Sequence, residues 1–140
     1  MNYRKGNDGL AIRLDENDEI IESVVSVCKK ENIESAILHG IGAGKKFMIS
    51  HFDTLEMQYH TRTFEGMLEI VSLSGNIAML NGEHVAHIHT ALGKEDFTMV
   101  GGHLVEGIVN PTCEITILPL EIKVEREKDN KTGLNLQRFP

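Results

Sequence analysis

Only one segment of the chain carries a sustained helical repeat, and that leaves few folds open. Ile20, Ile21, Val24, Val25 and Cys28 recur at three- and four-residue spacing, behind the acidic run Asp15-Glu16-Asn17-Asp18-Glu19 and ahead of Lys29-Lys30. The acidic run offers an N-cap and favourable charge at the positive end of the helix dipole, and the lysines complement the other end. The remaining apolar residues fall in strand-like segments: 9–14, 35–38, 46–52, 68–73, 76–80, 85–91, 98–109 and 114–125. Turn signals separate them, among them Ser74-Gly75, Asn81-Gly82, Gly93-Lys94 and Asn110-Pro111. One main helix with about seven strands predicts an α+β fold, a single compact domain over residues 1–140 built on a mostly antiparallel sheet. Residues 126–140 are polar apart from Leu134, Leu136 and Phe139, and read either as a frayed tail or as a last edge segment.

Composition narrows the class further. At 140 residues, with 41% hydrophobic and 25% charged residues, the chain is long enough to bury its own core and too apolar for global disorder. A formal charge of −7 argues against broad attraction to phosphate backbones, and Lys29-Lys30 and Lys45-Lys46 are pairs, not a basic stripe. Two cysteines, Cys28 and Cys113, are too few for a disulfide scaffold and read as buried free thiols. No run approaches the ~18 apolar residues that span a bilayer, and MNYRKGNDG lacks the apolar centre of a signal peptide. The expectation is a soluble, cytoplasmic protein with no membrane partner.

Gly40-Ile41-Gly42-Ala43-Gly44-Lys45-Lys46 imitates a phosphate-binding loop, but the spacing fails. A Walker loop needs four residues between its first Gly and a Gly-Lys-Ser/Thr, and Lys46 stands where the hydroxyl belongs. A dinucleotide fingerprint needs a helix next, whereas FMISHF reads as strand. The glycines are expected to form a tight bend between two strands.

The segment HVAHIHTALGKEDFTMVGGHLVEG, residues 84–107, holds four of the seven histidines. His87 and His89 are two apart, so on a strand both imidazoles point to one face. A hairpin centred near Glu95 sets His103 opposite His87, and side chains so opposed lie ~5 Å apart at Cβ, close enough to share a metal. In that register Gly101 faces His89 and leaves space for water or a ligand. Three neutral imidazoles with an open fourth position form a common catalytic zinc arrangement. A lone His on a strand is usually a core or surface residue, and a one-residue slip would turn His103 to the other face. His84 is odd-spaced from His87 and falls outside the set, and His39, His51 and His60 have no readable partner.

Two carboxylates are embedded in apolar strands. Glu69, between Leu68 and Ile70, faces either solvent by alternation or a pocket where burial would suit it to proton transfer. Glu106 is three residues from His103 and should face the other side. Arg13 in GLAIRLD either binds an anion or caps a sheet edge.

The blocks GLAIRLDENDEIIESVVSVCKKENIESAILHGIGA, FEGMLEIVSLSGNIAM and HVAHIHTALGKEDFTMVGGHLVEGIV, in this order, resemble the PPC domain, the plants-and-prokaryotes conserved domain, over about residues 8 to 122. The resemblance implies a trimer, a fold similar to that of acetolactate decarboxylase, a zinc enzyme with a three-histidine site, and zinc ligation by His87, His89 and His103. Plant members use a Gly-Arg-Phe-Glu-Ile-Leu segment for partner contacts; here Gly66, Met67, Leu68, Glu69, Ile70 and Val71 stand there, without the Arg and Phe. No Arg-Gly-Arg-Pro hook occurs in the chain.

Two functions from different classes follow. In the first, a homotrimer holds zinc on His87, His89 and His103 in a pocket for a small-molecule ligand, with Glu69 as proton-transfer partner. In the second, the trimer is a DNA-associated regulatory module, which the acidic charge and the missing hook disfavour.

Overall fold

The acidic run before the helix caps it as expected. In the computed structural model, which describes all 140 residues, helix α1 spans Ile20–Glu31, and the Glu19 carboxylate accepts the Glu22 backbone N–H at 2.6 Å. The other oxygen of Glu19 accepts the Gly107 N–H at 2.9 Å, so one side chain satisfies a helix end and ties it to a strand. Asn32 ends the helix in the left-handed conformation, φ 55°, which Asn tolerates better than most residues. The buried stripe is Ile20, Val24, Val27 and Cys28.

Eight strands form one sheet: β1 (Asn2–Lys5), β2 (Leu10–Asp15), β3 (Ala36–Asp53), β4 (Gln58–Leu80), β5 (Glu83–Gly93), β6 (Met99–Pro119), β7 (Glu125–Lys128) and β8 (Asn135–Arg138). Neighbours run β1-β2-β6-β3-β4-β7-β8, and β5 pairs with both β4 and β6. Since β3 also pairs with β4 and β6, the four long strands hydrogen-bond in a closed circuit. All pairings are antiparallel except the single β4–β7 bridge. The helix packs on β5 and β6. Between it and the sheet lie Phe47, Ile88, Leu92, Leu104, Ile115 and Ile117, each no more than 1% exposed. No helix is long and apolar enough to cross a membrane.

The α+β class and the single main helix are as the sequence predicts; several boundaries are not. The glycine segment 40–46 is no bend: β3 runs straight through it, with bulges between Gly40 and Gly42 and between Gly44 and Lys46. Its glycines are there for close approach, since a Cβ on Gly44 would run into the Phe47 ring and 2.6 Å from the Ile108 carbonyl. Ser74-Gly75 is likewise inside β4, and Asn110-Pro111 lies in a stretch of β6 that slips register against β3 between Val109 and Cys113. The Asn81-Gly82 turn forms as expected, with φ 52° and 82° in a two-residue hairpin. Strand β1 and the polar first half of β4 were not legible, and residues 126–140 prove to be an edge hairpin, β7–β8.

Cys28 and Cys113 are fully buried and unpaired. Burial of the neutral thiols raises them from 9.0 to about 11 and about 12, the latter helped by the Glu114 charge. The unfolded chain therefore ionises first as pH rises past 9.0, and the stability that the neutral thiols contribute is present below that pH and lost toward 11. At pH 8 iodoacetamide should leave both thiols unmodified until denaturant is added, and the denaturation midpoint should fall as pH rises above 9. Glu19→Ala should cost about 1–3 kcal/mol by urea unfolding, because it leaves two backbone N–H groups without their acceptor.

Candidate metal centre

The geometry starts from the β5–β6 hairpin. His87 and His89 alternate onto one face of β5, and His103 stands on β6 directly opposite His89. The hairpin is thus centred on Asp96 and not on Glu95, and the expected His87–His103 opposition is replaced by His89–His103. The turn itself sets this centre. Gly93 pairs with Met99, the Asp96 carboxylate accepts both the N–H and the hydroxyl of Thr98, and Phe97 is left-handed at φ 63°. Moving the centre by one residue moves every partner by two, which preserves the face, so all three imidazoles still converge. Gly101 faces Ala91 instead of His89, and a Cβ there would stand 2.6 Å from the Thr90 carbonyl. It serves close packing of strands and leaves no ligand space.

The imidazole centroids of His87 and His89 are 5.1 Å apart, those of His87 and His103 5.1 Å, and those of His89 and His103 5.6 Å. One ring nitrogen from each lies within 4.8 Å of the others. His87 and His103 are half-buried and His89 is exposed, so the set opens outward on one side. Burial foremost, then the Arg126 charge, pushes His87 down to about 4; burial, His89 and Arg126 also lower His103. Burial thus favours the neutral form of both rings, the form in which a ring nitrogen not already engaged by Arg126 can offer its lone pair to a cation. Nδ1 of His103 is buried without a hydrogen-bond partner, the state of an atom that a ligand would satisfy.

Behind the histidines is a cavity of about 830 Å³, walled in part by the terminal hairpin. Arg126 of β7 enters it, donating from Nη2 to the Asn76 Oδ1 at 2.6 Å and to Nδ1 of His87 at 3.0 Å, and from Nη1 to the Asn135 carbonyl at 2.8 Å. The Tyr59 ring lies 5.6 Å from the His103 ring. Arg126, Asn76 and Tyr59 were not singled out from the sequence. Arg126 sits in a run of alternating charges, Lys123 to Lys128, where nothing marks one cation as facing inward.

Other candidates fall elsewhere. Glu69 is exposed, opposite Ala43 and Gly93, and borders a groove with Ile41 and Thr112, away from the histidine cavity. Glu106 is half-buried and bound to Lys46 at 2.6 Å. Arg13 pairs with Asp15 at 3.1 Å on the exposed face of β2. His84 lies off the triad, as its spacing implies, with Nε2 buried and unpartnered. His60, for which the sequence offers no partner, stands near the exposed start of β4, 3.1 Å from Glu56 and 3.8 Å from Asp53.

With the fold and the histidine set defined, comparison places the chain among known proteins. A family model for the Plants and Prokaryotes Conserved (PCC) domain matches residues 1–121, and the chain belongs to that family. Similar solved structures include a candidate DNA-binding protein from Bacteroides thetaiotaomicron, at TM-score 0.94 and 28% identity over 99% of this chain and 96% of that one. A plant- and prokaryote-conserved protein from Pyrococcus horikoshii has TM-score 0.86 and 35% identity, covering 98% and 94%. A metal-containing protein from Archaeoglobus fulgidus has TM-score 0.87 and 33% identity, covering 96% and 95%. The α-acetolactate decarboxylase of Bacillus subtilis shares the fold, at TM-score 0.55 and 14% identity over 90% of this chain and 58% of that one. No curated protein matches the sequence.

The triad depends on β5 lying flat against β4. A Cβ on Gly75 would overlap the His87 carbonyl oxygen and stand 2.9 Å from the Ile88 Cα. Gly75→Ala should therefore displace the His87 backbone and destabilise the fold by about 2 kcal/mol or more, measured by urea unfolding.

Proposed function

We propose that the protein is a homotrimeric zinc-binding protein whose three-histidine centre serves a pocket for a small ligand. The single observation that carries this reading is the convergence of His87, His89 and His103, with donor nitrogens within 4.8 Å of one another. The donor set fits the ion: three imidazoles suit zinc, and the orphaned Nδ1 of His103 is a buried nitrogen that lacks a partner. Bound there, zinc would supply a Lewis acid with a coordination position left for water or a ligand oxygen. The histidines hold and orient the ion. The Tyr59 ring beside His103 narrows the approach, and Arg126, by donating to Nδ1 of His87, occupies the lone pair that a metal at that nitrogen would need.

Self-association has support on the outer face of the sheet. Ile37 and Leu118 are a cross-strand pair 48% and 43% exposed, and Ile41 and Val71 are about half exposed nearby. Covering such apolar surface favours an assembly. Two reduced, buried thiols fit a cytoplasmic setting. The similarity to a metal-containing archaeal protein supports the same reading.

Protein purified without an affinity tag and supplemented with zinc should hold about one ion per chain, and the H87A/H89A/H103A variant should hold none. Absence of stoichiometric metal in the natural chain, or its retention in the triple variant, would sink the proposal. A DNA-associated regulatory module is the second reading, supported by the designation of the Bacteroides structure. The net charge of −7 weighs against it. Duplex titration at ~50 mM salt, where phosphate contacts are strongest, separates the two: no measurable affinity removes the DNA reading.

A further inference from the structure

The histidine cavity has an unusual charge balance. Sixteen residues line it, and none is an Asp or a Glu. Arg126 is half-buried at its edge and has no carboxylate within 4.0 Å. Its hydrogen bonds all go to neutral acceptors, Asn76, Asn135 and His87, and its buried Nε has no partner at all. The adjacent carboxylates are engaged elsewhere: Glu125 binds Lys123 at 2.8 Å and lies 3.7 Å from Arg138, and Glu127 lies 3.5 Å from Arg138. Strand alternation explains this, since Arg126 points to one face of β7 and its two neighbours to the other. A guanidinium partly withdrawn from water, with a buried donor unused, is costly unless an anion meets it. A divalent cation held by the three imidazoles would add further positive charge to the same space.

We infer that the cavity is a receptor for a small carboxylate with an apolar tail, bound through Arg126. The inference rests on the metal reading above only for its second contact, in which a carboxylate oxygen reaches the ion held by the histidines. The guanidinium fork matches the planar carboxylate, and such charge-assisted pairs are the strong ones. The tail has a matching wall in Leu80, Val85, Val105, Leu134 and Leu136. Two of these, Leu134 and Leu136, come from the terminal hairpin that also supplies Arg126. That hairpin lies beyond the residues matched by the family. The anion and the metal reinforce one another, because each offsets a charge that repels or strands the other, so the coupling is reciprocal.

The test uses the full chain, loaded with cobalt(II) as a visible probe and also metal-free, with butanoate, butanamide and inorganic phosphate as ligands. In the cobalt form, butanoate should perturb the visible bands with an affinity at least about tenfold above that of butanamide. Arg126→Gln should lower the butanoate affinity about tenfold or more, and Arg126→Lys should recover part of the loss. Butanoate should also tighten cobalt binding in the natural chain and not in R126Q. Equal binding of butanoate and butanamide, equal binding by the natural chain and a folded R126Q, or a preference for phosphate over butanoate would overturn the inference while leaving the metal reading intact. Failure to load cobalt would overturn the metal reading, and the metal-free arm then decides the inference. A rise in thermal midpoint with butanoate in the natural chain but not in R126Q upholds it, and no rise in the natural chain ends it. Should R126Q fail to fold, the comparison of butanoate with butanamide in the natural chain decides alone.

Discussion

The double pairing of β5 is the constraint on which the rest of the structure depends. Hydrogen-bonded to β4 on one side and to β6 on the other, β5 closes the circuit of long strands and has little freedom to slide. Its inward residues, Ile88 and Leu92, are fully buried under α1, while the outward ones include His87 and His89. Core packing and site geometry are therefore fixed by the same register. A slip that moved the histidines would also carry Ile88 out of the core, and the hydrophobic cost of that exposure, about 1.5–3 kcal/mol per large side chain, holds the imidazoles in place. The histidine set is preorganised by burial on the opposite face of the strand that carries two of its members.

How much of this was legible in the sequence follows from which interactions are local. The helix was readable because its cap, its apolar stripe and its terminal lysines all lie within seventeen residues, 15–31. The convergence of His87, His89 and His103 was readable because face depends only on parity, and parity survived an error in the turn. The register itself was not readable, since it depends on how Asp96, Phe97 and Thr98 fold around one another. The glycines of segment 40–46 and Gly75 misled for a common reason. Glycine marks both chain reversal and close approach, and only the neighbouring strand, distant in sequence, decides which applies. Arg126 was hidden because two of the side chains it donates to, Asn76 and His87, lie on strands distant in the chain.

The candidate site thus draws on two segments of different character. The closed circuit supplies the histidines, buried backbone and a fixed register. The terminal hairpin supplies a cation and an apolar wall, and joins the sheet through one bridged pair, Met79 and Glu125, beside the Met79 N–H donating to the Val124 carbonyl at 3.2 Å. Neutral imidazoles and a half-buried guanidinium share one space without a carboxylate, which makes the electrostatics of the cavity the property most open to a ligand's influence.

That slender attachment of β7 and β8 has a consequence for how the cavity can be altered. The hairpin makes only a few backbone links to the main sheet, so its local opening costs far less than global unfolding. Residues at positions 126, 134 and 136 can be exchanged without taking apart the strands that carry the histidines. On the proposed reading, metal site and ligand contacts lie on separable lengths of the same chain, and a changed ligand would call for a changed hairpin, not a new fold.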